Sequence, residues 1–578
     1  MRIHLQFSPE QNAAHRSRLA YAFRTFCAIY GHLPLVGEEQ EAAGEITIEY
    51  HRAARAKSRK PTLALRNLYQ PRSPRQPAPP PTAYSAEGET TVVVHSSAPG
   101  QRPDWLGEIF EWLSCADEYS IEERDPWQRV PFQASYVGRY RLDARVPYAA
   151  VAMRLLNVAL YRALGQPPPS APSPAPPTRH FIIPTHDVDY LPLGTLGRTY
   201  RLAKNAVISW LAAKRPALGL RQAGMALRVA LGGSDPLDQI NYLVAGESGR
   251  SIGASYYFLL QRQHRRDANY SLGDPGVVDL LRSLQARGME VGVHGTYRSS
   301  EKLDGLAHEF TLLRKAGMDP LGGRQHWLRF TLPELIRGLE RAGALYDTSL
   351  GWADRIGFRA GACFAFPLYN FDQERPSSVL EIPLVMMDVA IRDQGLNEED
   401  WYGAAAQLLE ASRRYGWGGI SLLWHPTAFG GGWLAREAGD VFWRLSDQRA
   451  EHNETWLSAA AFLDTARDRY LEAGLWPAER DHSDIAREDR RDKDIGLIET
   501  FPVSQNYSLE SDRQPKKKND LWPNLCEPSS RAMRFWPERH RPAPHSRAAL
   551  QGEANGMPNG PASGGFHKGW TNTYSRSS

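Results

Sequence analysis

Short apolar runs alternate with helix-spaced apolar positions through the middle of the chain. The runs at Phe181–Ile183, Ala254–Leu260, Glu290–Val293, Leu380–Met386 and Gly419–Trp424 predict strands. Apolar residues recurring every three to four positions predict helices over Gly276–Arg287, Leu332–Ala342, Glu398–Tyr415 and Trp456–Tyr470. Strand and helix in turn mean parallel strands covered by helices, so residues 179–475 read as a (β/α) barrel. Upstream, residues 1–165 read as a smaller α/β domain. Ala13–Ile29, Trp105–Cys115 and Tyr148–Leu164 have helical spacing, and the β-branched runs at Ile46–Tyr50 and Thr90–His95 predict strands. The basic, proline-rich stretch Arg52–Pro81 reads as a loop.

Two segments break the pattern. Gly165–Thr178 reads GQPPPSAPSPAPPT, a composition that favours an extended spacer, and residues 166–178 are taken as the linker between the two domains. From 476 to 578 the chain is rich in charge, Ser, Pro and Gly. That low-complexity tail has too little clustered apolar surface to fold alone and is expected to be disordered.

Composition narrows the function classes. At 578 residues the chain exceeds one ordinary core, which agrees with the division above. A net charge of +4 is too weak to argue for nucleic acid as a partner. Cys27, Cys115, Cys363 and Cys526 are too scattered for a disulfide framework or a cysteine zinc cluster. The first residues lack the apolar core of a signal peptide, and no apolar stretch is long enough to span a bilayer, so the expected location is cytoplasmic. Leu191 to Gly249 is helical and basic, with Arg198, Arg201, Lys204, Lys214, Arg215, Arg221 and Arg228 among apolar residues. A solvated helix face accounts for such charges; peripheral contact with anionic lipid or an acidic polymer is the alternative.

The chemistry concentrates at strand ends. Phe181–Tyr190 reads FIIPTHDVDY, so an apolar strand runs straight into His186, Asp187 and Asp189. Residues two apart in a strand point the same way, so the two acids repel one another. A cation or a shared proton between them would offset that cost. His294 closes the next-but-one predicted strand, in EVGVHGTYRSS, and His425 closes the last, in SLLWHPTAF. In (β/α) barrels functional side chains collect at the carboxyl ends of strands, where these four residues fall. Between them lie GGRQHWLRF, with Arg324, His326 and Arg329, and YDTSLGWADRIGFRAG from Tyr346 to Gly361. Trp327, Trp352 and Trp424 could stack on a sugar ring, although large aromatics more often fill cores.

In this order the motifs resemble the polysaccharide deacetylase (NodB-homology) superfamily, over residues 179–475, and most of all its bacterial branch that opens with THDVD and carries an extra amino-terminal domain. The resemblance implies a distorted (β/α) barrel of the polysaccharide deacetylase type and a metal-dependent hydrolysis of non-peptide C–N bonds. The substrate implied is a carbohydrate, an N-acetylated sugar or polysaccharide precursor. A lipid-linked or nucleotide-linked precursor suits a cytoplasmic location better than a finished polymer. The resemblance further implies Asp187 as general base, Arg324 as the residue that orients it and His425 as general acid. It implies a divalent metal, zinc first, held by Asp189 and His294. The family places a second histidine four residues after the first, where this chain has Arg298. A guanidinium has no lone pair to give, so His326 is the candidate for the third ligand. The competing expectation is a catalytically degenerate barrel serving as a glycan-binding or assembly module.

Overall fold

A computed structural model describes residues 1–7, 11–36, 45–51, 61–66, 69, 73–94, 103–168, 179–192, 195–211, 216–233, 238–302, 304–393, 398–429 and 437–476. Most of the proline-rich linker and nearly all of the 476–578 tail lie outside these residues, as do 52–60, 67–68 and 70–72 of the Arg52–Pro81 stretch expected as a loop. Within that stretch Thr62–Arg66 is instead a strand, whose alternating Leu63 and Leu65 are buried.

The amino-terminal part carries a parallel sheet of β1 (Arg2–Phe7), β2 (Leu33–Val36), β3 (Ile46–His51) and β4 (Thr62–Arg66), in the order β2-β1-β3-β4. The helix Ala13–Tyr30 crosses from β1 to β2. Asn12 caps it by accepting from the His15 N–H, and it ends at Gly31 with φ +64°, where a left-handed residue favours glycine. A hairpin of β5 (Thr82–Ala86) and β6 (Glu89–Val93) follows.

The larger sheet contains β7 (His180–Val188), β8 (Ser255–Phe258), β9 (Glu290–Gly295), β10 (Gly322–Gln325), β11 (Tyr346–Asp347), β12 (Phe366–Asn370), β13 (Arg375–Glu381), β14 (Leu384–Met387), β15 (Gly418–Leu423) and β16 (Glu454–Trp456). Nine of them run in the order β12-β13-β11-β10-β9-β8-β7-β15-β14, and β16 pairs with the start of β7. All pairs are parallel except β12 with β13. Every residue of β7 is buried, as expected for a strand covered on both faces.

The sheet curls strongly. Four strand steps separate β10 from β15, about 19 Å in a flat sheet at about 4.8 Å per step. Yet the guanidinium of Arg324 on β10 reaches Ser421 Oγ on β15 at 3.4 Å and Thr185 Oγ1 on β7 at 2.9 Å. One side chain spans those strands only because the sheet is wrapped into a half-barrel. Leu380–Met386, expected as one strand, is two: β13 ends at Glu381, Ile382 and Pro383 interrupt, and β14 pairs with β15 instead. Proline cannot donate to a ladder, which explains a break there. The glycine pair opening β10 was invisible to apolar patterning. A Cβ at Gly323 would sit 1.9 Å from the Val293 carbonyl oxygen, so this strand needs glycine to lie against β9.

The amino-terminal part covers the antiparallel edge of the large sheet, which otherwise presents unpaired backbone groups. Tyr21 donates to the Pro367 carbonyl at 2.7 Å, Arg18 pairs with Glu374 at 2.5 Å, and Arg359 pairs with Glu118 at 2.6 Å.

Candidate metal centre

Four strands bring the site together. Asp187 lies on β7 and Asp189 just past it, His294 on β9, Arg324 on β10 with His326 just after it, and His425 follows β15. Because parallel strands in a curled sheet point their carboxyl ends at one mouth, residues far apart in sequence meet there.

Asp189 is the centre of the arrangement. Its Oδ1 lies 3.4 Å from His294 Nε2 and 3.4 Å from His326 Nε2, and its Oδ2 lies 3.6 Å from His425 Nε2. Oδ1 is shielded from solvent and makes no hydrogen bond, although the side chain as a whole is 41% exposed. Ligand atoms of Asp189, His294 and His326 all lie within 4.8 Å of one another, so this group could hold a metal ion. A cation about 2.1 Å from tetrahedral ligands spaces those ligands about 3.4 Å apart, which matches the two Asp189–histidine distances. The tautomer of His294 also fits: its Nδ1 donates to the Arg324 carbonyl at 3.0 Å, leaving the Nε2 lone pair for the centre.

Burial pushes the Asp189 carboxyl up, but His326, His294 and His425 outweigh it and hold the group well below the usual carboxylate range. Burial likewise works against charge on His294, and Asp187 and Asp189 beside it more than offset this and raise it.

Arg298, at the position where the family's second histidine was expected, is 54% exposed and faces Glu301 at 3.9 Å. His326 stands at the centre in its stead. Two supports hold it. Its Nδ1 faces the buried Asp267 carboxylate at 3.8 Å, and Asp267 accepts the Tyr297 N–H at 2.8 Å and the His264 N–H at 2.7 Å. Behind it, Trp327 and Leu328 adopt φ of 64° and 52°, a left-handed conformation uncommon for bulky residues. The amino-terminal part secures this turn: Trp127 stacks on Trp327 at 6.0 Å, and Arg129 donates to the Trp327 carbonyl at 3.1 Å.

Arg324 is buried and gives Nη1 to Asp187 Oδ1 at 2.9 Å and Nε to the Thr348 carbonyl at 3.0 Å. Asp187 Oδ2 is thereby turned to the centre, 3.6 Å from His294 Nε2. On the far side, Asp388 at the end of β14 takes both the His425 backbone N–H at 2.8 Å and its Nδ1–H at 2.9 Å. Burial pulls the His425 imidazolium down, but Asp388 first, then Asp189 and Asp187, outweigh burial and lift it to about 9. Asp388 and Asp267 were not singled out from sequence. Asp388 carried a usable signal, an acid closing the apolar strand LVMM; Asp267 sits in a loop with none.

Of the three tryptophans considered for sugar stacking, Trp352 and Trp424 are buried core residues, and only Trp327 reaches the rim.

A buried acid beside the site supplies a stability test. Burial, against hydrogen bonds from Thr296, raises the Glu309 carboxyl to about 7. The unfolded chain titrates it near about 4.3, so the folded state binds this proton more tightly. The resulting stability is complete below the unfolded value and is lost as pH rises to about 7. Glu309→Gln should therefore flatten the fall in Tm between those two values, measured by thermal melts across pH. A variant whose melts track the wild type at every pH would refute the assignment.

No family model matches the chain, and no curated protein matches it. Among solved structures, the crystal structure of a 4-alpha-glucanotransferase from Thermococcus litoralis aligns at 17% identity and a TM-score of 0.29, over 49% of this chain and 38% of that one. This chain thus spans under half the length of that structure, and a likeness so slight carries no argument about fold or activity.

Proposed function

We propose that the chain is a metal-dependent hydrolase of non-peptide C–N bonds that deacetylates an N-acetylated sugar or polysaccharide precursor, in the manner of the polysaccharide deacetylase superfamily. One observation carries the reading: a shielded carboxylate oxygen with no hydrogen bond, Asp189 Oδ1, equidistant from two imidazole nitrogens. A divalent cation, for which zinc suits the mixed nitrogen and oxygen donors, would supply a Lewis acid for the amide carbonyl and a more acidic water.

The chain's own groups do the proton work. Asp187, oriented by Arg324, removes a proton from water through Oδ2 as the water oxygen bonds to the carbonyl carbon. His425 Nε2, across Asp189, delivers a proton to the nitrogen as the C–N bond breaks, releasing acetate and the amine. Asp388 keeps His425 protonated and aimed. The half-buried Trp327 offers an aromatic face at the rim for a sugar ring.

Acetate release from an N-acetylated oligosaccharide, suppressed by a chelator and restored by zinc, is the direct test. Binding of the sugar with no acetate release under any metal would favour the degenerate, glycan-binding barrel instead.

The general acid must be protonated, so activity should fall as pH rises through its pKa. A cation on Asp189 cancels that residue's share of the His425 shift but leaves the share of Asp388. In Asp388→Asn the alkaline limb of the kcat profile should move down by at least about one unit. An unmoved limb would separate Asp388 from the proton donor.

A further inference from the structure

Residues 190–234 contain seven Lys or Arg and no Asp or Glu. This stretch begins one residue after Asp189. It forms two helices, Thr195–Leu211 and Pro216–Ala230, that pack closely on each other and only sparsely on the rest of the fold. Tyr190 and Met225 pack against the small core made by Leu202, Ala226 and Val229, which roots the pair at the mouth of the barrel.

Each helix carries an inward apolar stripe and a second, outward one. Tyr200, Lys204, Val207 and Leu211 follow the spacing that shares one helix face, opposite the buried Leu202 and Ser209. In the second helix Leu220 and Leu227 share a face that Leu231 continues, opposite the buried Gln222 and Val229. Leu211 is 74% exposed, Leu227 61% and Leu231 79%, and Trp210 stands 53% exposed beside them. Among the described residues, the only other large apolar side chains so exposed are Leu33 and Tyr242, so the feature belongs to this hairpin and not to the surface in general. A merely solvated face does not repeat leucine at helical spacing.

We propose that this helical hairpin docks on an anionic lipid bilayer, with its outward apolar stripes in the interface and its cations among the headgroups. The absence of any acid from the segment matches a negative surface. An acidic glycan would meet the cations but leave the leucine stripes in water. A second copy of the hairpin would bring like charges face to face. No helix among the described residues is long and apolar enough to cross a membrane, so the hairpin lies on the surface. Because the hairpin follows Asp189 directly in sequence and packs on Tyr190, docking would bring the mouth close to the bilayer. On the function proposed above, and only on it, the substrate is an N-acetylated glycan carried on a lipid.

The full chain would be sedimented with phosphatidylcholine vesicles, with and without phosphatidylglycerol, at low and high salt. The anionic vesicles should retain at least about tenfold more protein, and high salt should reverse this. A combined L211Q, L227Q and L231Q variant and a combined K204E and R221E variant should each weaken retention at least about tenfold; all five side chains are exposed, so folding is spared. Asp187→Asn should bind vesicles as wild type does, which separates docking from turnover. Wild-type protein left in solution with both vesicle types would overturn the proposal. So would a leucine variant that binds undiminished, or one whose only change is loss of a dimer in light scattering.

Discussion

Asp187→Asn is expected to lower amide hydrolysis by about 10²–10⁴-fold while leaving bound metal in place. The substituted amide would keep the shape of the side chain and could still accept a hydrogen bond from Arg324 Nη1, but it could not take a proton from water. The substitution also leaves the buried Arg324 without its carboxylate, and breaking such a pair costs about 3–5 kcal/mol. A lower Tm is therefore expected alongside the lost activity. The two effects separate by measurement: circular dichroism and metal content at a temperature well below the lowered Tm should match wild type. Activity retained within a few-fold under those conditions would remove Asp187 from the role of base.

His326→Ala is expected to empty the metal centre. The purified wild-type chain should carry about one divalent ion, and the variant close to none, because Asp189 and His294 alone leave a catalytic cation one protein ligand short. Activity should fall with metal content. Arg298→Ala is the informative contrast, since Arg298 is exposed and is paired with Glu301. It should hold metal and turn over as wild type does. Metal retained in His326→Ala, or lost in Arg298→Ala, would show that the third ligand had been placed wrongly. Elemental analysis of the two variants beside wild type decides between these outcomes.

Much of the site was legible as residue types at strand ends. Asp187, Asp189, His294 and His425 each follow a short apolar run, and a buried parallel strand announces its carboxyl end by changing from apolar to polar residues. His326 was harder to place. The strand before it, Gly322–Gln325, has no apolar pattern, because its glycines serve close backbone approach to β9 and not side-chain packing. Asp388 was legible as an acid closing an apolar run, but local pattern did not show that the break at Pro383 sends its strand to β15, beside His425.

Local pattern by itself determined the alternation of strand and helix, the acids and imidazoles at strand ends, and a basic stretch free of acidic residues. Such features depend on neighbours a few positions apart, which backbone periodicity relates directly. Only the tertiary structure decided that the large sheet curls until Arg324 spans β7 and β15, that His326 stands where Arg298 does not, and that the amino-terminal part holds the strained turn behind that histidine. It also decided which tryptophans are core and which helix faces remain outside. The site contacts join residues 97 to 198 positions apart, and their distances follow from sheet closure, which no local pattern encodes.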